Sequence, residues 1–283
     1  MPADMAALLA DLDAETAALD AMIAPLAPDQ YRQPTPAAGW CIADQVSHLA
    51  YFDEAALLAA TDPGRFRAEA ADLLRAGPGF PDDVAARYRD TPGPDLRAWL
   101  LRARRDLLAG FAPVEPSRRL PWYGPEMSAA SSVTARLMET WAHGQDIADA
   151  LGLTRPATER LRHVAHIGVA AIGFSFAARG LPAPDRPIRV ELTGPDGSTW
   201  TWGPPGAPDV IRAPAVDFCL VVTQRRHRAD TALTATGPTA QQWIAIAQAF
   251  AGAPGPGRPP SSSPPIMTGT GSFSGQPPEA RAT

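Results

Sequence analysis

Glu139 and His143 stand four residues apart in the stretch 128–152, SAASSVTARLMETWAHGQDIADALG. On a helix rising about 1.5 Å per residue, their side chains emerge from one face roughly 6 Å apart, which is bite distance for a divalent ion. A mid-helix carboxylate and imidazole beside an apolar stripe must reach water, pair with each other, or bind something that neutralises both. His48 flanks an apolar helical stripe in the same way, so the three side chains could converge. Two imidazole nitrogens and one carboxylate oxygen suit zinc and leave coordination open to water or substrate, as in a catalytic rather than a structural site. The same spacing also fits an i,i+4 ion pair of about 0.5 kcal/mol, with His48 as a satisfied core histidine. Asp44, one turn before His48, and Asp146, nearly one turn after His143, could each orient an imidazole from behind a metal.

The elements that must position these residues are helical. Val133, Leu137, Thr140, Gly144, Ile147 and Leu151 recur at alternating steps of four and three, which lays a seam along one helix face. Ser128 suits the N-cap of that helix and Gly152 its stop. Upstream, an apolar face over 3–26 gives a first helix, and 41–61, with Ile42, Val46, Leu49 and Ala56 inward, gives a second. Asp95 to Phe111 forms a third, and 64–90 reads as an insertion of two short amphipathic pieces around AGPGFPDD. Four long helices joined by loops make a bundle, in which metal sites are built from side chains on facing helices. Trp122 and Tyr123 lie in the loop entering the last of these helices, where they could roof a pocket.

Past Gly152 the pattern changes. Residues 158–179 read as one helix. IRVEL and STWTWG alternate as strands around the turn GPDG, DVIR offers a third strand, and ADTALTATG holds a short fourth. Ala215 to Arg226 and Thr239 to Phe250 read as helices. The expected class is therefore α plus α+β, with a helical bundle over 1–153 and a smaller α+β unit over 154–253. The Pro/Gly/Ser-rich tail over 254–283 has too little apolar content to pack and is expected to be disordered.

Composition narrows the function classes. The chain has 283 residues, 45% of them hydrophobic, enough for real cores. It lacks any run of about 20 apolar residues, so no membrane span is expected. A net charge of -5 argues against general nucleic-acid affinity. Cys41 and Cys219 lie far apart without a CxxC pair, and with no basic signal-like leader the expected compartment is the cytoplasm.

Two segments together, GWCIADQVSHLAYFDE (39–54) and TARLMETWAHGQDIADALG (134–152), resemble the DinB superfamily, specifically its mycothiol-dependent maleylpyruvate isomerase branch. The resemblance implies a DinB-like four-helix bundle followed by a C-terminal α+β domain similar to sterol carrier proteins. It implies zinc held by a second-helix histidine and a Glu-x-x-x-His on the fourth, the places of His48, Glu139 and His143. It also implies mycothiol as the thiol cosubstrate, adding as thiolate to an activated double bond, permitting rotation, and leaving. Transfer without the final elimination would be an S-transferase. An arginine after a C-terminal helix holds substrate in that branch, and Arg225, with Arg226 close behind, stands at the matching place in TQRRHR. Here Gln224 replaces the family's shorter glycine-containing turn. A closer likeness is to metal-binding relatives sharing ETWAHGQD, TWTWGP and DFCLVVTQRRH. The rival readings are a binding or regulatory module that kept the bundle without turnover, and a metal-dependent hydrolase with Glu139 as base.

Overall fold

The structure is a computed structural model that describes residues 4–261. Helix α1 (Met5–Ile23) begins at Asp4, whose carboxylate accepts the Ala7 N–H at 3.1 Å, and Tyr31 Oη closes its far end on the Ile23 carbonyl. A 3-10 turn over Gln30–Arg32 leads to α2 (Ile42–Thr61). Asp62 caps α3 (Pro63–Arg75), which a proline opens, and α4 (Phe80–Ala86) follows after a glycine turn. Helix α5 (Gly93–Phe111) precedes a two-stranded ribbon of β1 (Arg119–Leu120) and β2 (Met127–Ser128). Helix α6 (Ala129–Leu151) has both expected ends: Ser128 accepts the Ser131 N–H at 3.1 Å, and Gly152 adopts φ 66°. Only a residue tolerant of the left-handed region closes a helix this way.

The long helices α1, α2, α5 and α6 lie side by side, α2 packing most extensively on α5 and α1 on α6. One cluster, including Leu19, Ile23, Ile42, Val46, Leu49, Leu96, Leu100 and Ile147, fills the space among them. Close approach matters at Gly93, where an added Cβ would lie 2.2 Å from the Tyr31 ring. Gly93→Ala is expected to cost about 1–3 kcal/mol through overpacking, measured as a shift in denaturant midpoint.

The 64–90 segment is more than an insertion. Phe66, Ala70, Phe80 and Val84 are buried with Phe52, Ala55 and Ala59 of α2, and Trp122 and Tyr123 pack on the same cluster. Its apolar residues are too few to show a long stripe in sequence, yet they cover the α2 face beside His48.

The C-terminal unit begins with α7 (Leu161–Ala170) and α8 (Ile172–Ala177). These replace the single helix expected over 158–179. Ala171 leaves helical geometry, and the Ser175 hydroxyl reaches both the Ala171 carbonyl and the Gln248 carbonyl, tying α8 to the end of the unit. Strands β3 (Ile188–Thr193), β4 (Thr199–Trp202) and β5 (Asp209–Pro214) follow, then α9 (Ala215–Val222). After a 3-10 turn over Arg228–Asp230 come β6 (Thr234–Thr236) and α10 (Pro238–Ile246). The sheet order is β4-β3-β5-β6, with β3 and β5 parallel and the other pairs antiparallel. Phe218 and Trp243 pack over its inner face, fully buried.

Two helices end earlier than expected. Helix α9 stops at Val222 because Gln224 takes φ 59° and the N–H groups of Arg225 and Arg226 both turn back to the Leu220 carbonyl, at 2.7 and 3.2 Å. Helix α10 stops at Ile246, and Ala249 then donates to the Val222 carbonyl at 2.8 Å. The tail also differs from expectation over 254–261. Charge substitutes for apolar packing there: Arg258 pairs with Asp146 and Asp149, and Ser261 donates to Asp230. The rest of the tail expectation, 262–283, lies outside the described residues. Among the described residues no helix is long and apolar enough to cross a membrane.

The two units share a charged seam. Glu15 of α1 is buried and receives Arg155 and Arg160, and His163 of α7 meets Asp11 at 2.8 Å. His163 is thus structural, at the contact between units, whereas His166, whose ring lies 3.4 Å from Trp202 Nε1, makes its contact within the C-terminal unit.

Candidate metal centre

Helices α2 and α6 bring His48, Glu139 and His143 together. One ligand atom from each lies within 4.8 Å of the others. Glu139 Oε2 is 3.0 Å from His143 Nε2 and 3.6 Å from His48 Nε2, so one oxygen faces both imidazoles. The three side chains retain 10 to 18% exposure, enough for an ion or a small molecule to reach them.

The orientation of His143 follows from its neighbours. Gln45 Nε2 donates to Thr35 Oγ1 at 2.9 Å, which turns Gln45 Oε1 toward His143 Nδ1. Nδ1 must then carry the hydrogen, and Nε2 presents a lone pair to the Glu139 carboxylate. Two acceptors facing each other are stable only with a cation between them, whether a proton or a metal. Burial above all lowers His48 to about 4, so this imidazole is neutral and able to ligate near pH 7. With a proton as that cation, burial opposes the charged form of Glu139, but hydrogen bonds from His143 and His48 prevail and hold it well below the usual carboxylate range. A charged carboxylate and imidazole nitrogens at this separation are the donor set zinc prefers.

Neither aspartate expected behind the ligands is there. Asp44 occupies the third position of α2, and its carboxylate closes the capping box on the Cys41 N–H at 2.8 Å and takes Arg89 Nε at 2.8 Å. Asp146 turns from His143 to Arg225 and Arg258. The residue behind His143 is Gln45, which a search for carboxylates passes over because its amide is uncharged. Gln45→Leu is expected to weaken metal affinity by about 10–100-fold, read by competition with a chelating dye, with the helical circular dichroism unchanged.

Trp40 was likewise not anticipated. Its ring stacks on His143 at 5.8 Å, meets His48 edge-on at 5.3 Å, and is held by its Nε1 donating to Asp82 at 2.7 Å. A cavity of about 450 Å³ opens beside it, lined by Arg32, Thr35, Cys41 and Arg89 among others. Trp122 and Tyr123 pack beyond His48 against Phe52 and Phe66.

Arg225 and Arg226 lie at the junction of the units. Arg225 gives Nε and Nη2 to Asp146 at 3.1 and 2.8 Å and Nη1 to the Thr223 carbonyl, while Arg226 grips Asp149 with two bonds of 2.6 and 2.7 Å. Hydrogen bonding from Arg226 and Gln145 holds Asp149 below its usual value although burial opposes it. Both cysteines are free thiols: Cys41 donates to Asp44, and Cys219, pushed up by burial, faces the Leu161 carbonyl.

The fold and the paired histidines define a helical bundle with a metal-compatible centre, joined to a small α+β unit. Residues 12–148 match the mycothiol maleylpyruvate isomerase N-terminal domain, and the chain belongs to that DinB-like family. Residues 184–236, in the C-terminal unit, match a domain described as wyosine base formation. Two uncharacterized proteins from two strains of Mycobacterium tuberculosis are each 49% identical over 261 residues, covering 90% of this chain and 100% of theirs. Among solved structures, mycothiol-dependent maleylpyruvate isomerase aligns with a TM-score of 0.55 at 14% identity, covering 84% of this chain and 96% of that one. A histidine-to-alanine mutant of the same isomerase aligns at 0.56. At that identity the likeness is one of fold.

Proposed function

We propose that this protein is a zinc-dependent enzyme that uses mycothiol, or a closely similar thiol, to isomerise a small organic acid or, as an S-transferase, to conjugate the thiol to such an acid or another electrophile. The observation that carries the reading is the convergence of His48, Glu139 and His143 on one point, in a chain of this family. In this reading the bundle is of the DinB type and the α+β unit is related to sterol carrier proteins. The same reading places the protein in the cytoplasm, where a thiol cosubstrate stays reduced.

A zinc ion in this position would lower the pKa of a thiol and stabilise developing negative charge. The protein supplies the rest. His48 presents a neutral nitrogen, His143 its Nε2, Glu139 its charge, and Gln45 fixes the orientation of the His143 ring. Trp40 lies over both imidazoles and limits water on that side. Arg225 and Arg226, the expected substrate anchors, are committed to Asp146 and Asp149, so anchoring through them requires those pairs to open. Glu139 shares one oxygen between both imidazoles, which favours a ligand over the base a hydrolase would need.

The experiment is to incubate zinc-loaded protein with mycothiol and a panel of unsaturated acids and alkylating electrophiles, following products by mass spectrometry. Isomerised acid or S-conjugate formed above the rate with thiol alone supports the reading. Full zinc occupancy with no product across the panel favours the non-catalytic module.

A further inference from the structure

A third arginine shares a helix with two of the ligands. Arg136 precedes Glu139 by three residues on α6 and is 3% exposed. Its Nε donates to Asp53 Oδ1 at 3.1 Å, but its Nη2 is buried with no hydrogen-bond partner. Arg104, 1% exposed, takes the rest of the same carboxylate, with Nε on Oδ2 at 2.7 Å and Nη2 on Oδ1 at 3.2 Å. One buried aspartate thus serves two buried guanidinium groups, and the carboxylate that balances the second of them is Glu139, one turn along α6 at the metal centre.

Arg136 borders the metal centre. Arg136 and Glu139 are three residues apart on α6, so their side chains share one helix face. His48 and Phe52 stack at 4.5 Å, and Phe52, Phe66, Phe80 and Tyr123 wall that side with aromatic rings. His48 Nδ1 is a second buried atom there without a partner. A divalent ion held by Glu139 and the imidazoles would tip this balance to a positive excess. In an aromatic-walled, water-poor site such an excess favours anions strongly, and an unpaired guanidinium N–H is costly until something accepts from it.

Resting on the functional reading above, we infer that Arg136 is the residue that receives a carboxylate of the substrate, and that it selects small carboxylic acids over their neutral analogues. Nη2 supplies a charge-assisted hydrogen bond that the folded chain leaves unused. The thiol and the carboxylate together would neutralise the excess charge, which gives the site one place for each.

The test uses full-length zinc-loaded protein and calorimetric titration with acetate and succinate, with dimethyl succinate as the uncharged comparator. Wild type is expected to bind at least one of the two anions more tightly than the ester. Arg136→Gln should weaken that anion about 10–100-fold, with zinc content and ester binding unchanged. Arg136→Lys, which keeps charge but not the fork of donors, should fall between. Unchanged anion affinity in a folded, zinc-retaining Arg136→Gln overturns the inference, as does zinc-loaded wild type that binds neither anion. If Arg136→Gln does not fold, wild-type affinity in Arg136→Lys overturns it instead. A wild type that takes up no zinc is a different result: it removes the functional reading on which the inference rests.

Discussion

Alanine in place of Asp53 should lower the unfolding free energy by about 3–5 kcal/mol, because it strands two buried guanidinium groups without their shared counter-charge. Asp53 is fully buried and joins α2 to Arg104 of α5 and Arg136 of α6, while Arg104 extends the network to Thr140 at 2.9 Å and to Thr16 of α1. Three of the long helices therefore meet at one carboxylate, and Arg104 ties the fourth, α1, into the same network. Asp53→Asn, which keeps the shape but not the charge, should lose less. Urea unfolding with an unchanged slope and a lowered midpoint is the signature of a pure stability loss. An Asp53→Ala midpoint within the error of wild type would mean that apolar packing alone sets the helix register. It would also remove the charge argument made for Arg136.

Asp53 shows why part of this molecule was legible in sequence and part was not. Apolar periodicity exposed the long helices, because burial repeats with the helix turn, and Ser128 and Gly152 marked the ends of α6 because capping chemistry is local. His48, Glu139 and His143 were found because two share a helix face and the third sits on an equivalent flank. What failed were inferences from one-turn spacing about where a carboxylate points. Asp44 and Asp146 lie at the right spacing, yet each is drawn to partners distant in sequence, Arg89 for one and Arg225 and Arg258 for the other. The Asp53 network is long-range in the same sense, 51 residues from Arg104 and 83 from Arg136, and no local pattern reports it. Gln45 was missed for a chemical reason, since an amide carries no charge to suggest a role beside a metal.

Loss of a ligand imidazole is the larger test, because it separates a metal centre from an ion pair. Purified wild type is expected to carry about one zinc per chain, and His48→Ala and His143→Ala each to fall well below that. Each removes one of only three protein ligands, so the loss in affinity should exceed the ~10–100-fold attributed to an outer partner such as Gln45. Glu139→Gln should weaken binding too, since it deletes the one negative charge among the three. Stability supplies an independent readout. Added zinc at about 100 times its Kd should stabilise wild type by about 2.7 kcal/mol through mass action, and each ligand variant should lose most of that gain. If the cluster is only a hydrogen-bonded pair with a neighbouring histidine, zinc will shift none of the melting curves. The glutamate would then be an acid paired with His143 at i,i+4, a contact worth a few tenths of a kcal/mol on an isolated helix. That outcome would leave the two acceptors at His143 and Glu139 bridged by a proton, and the chain would keep the family's bundle without its chemistry.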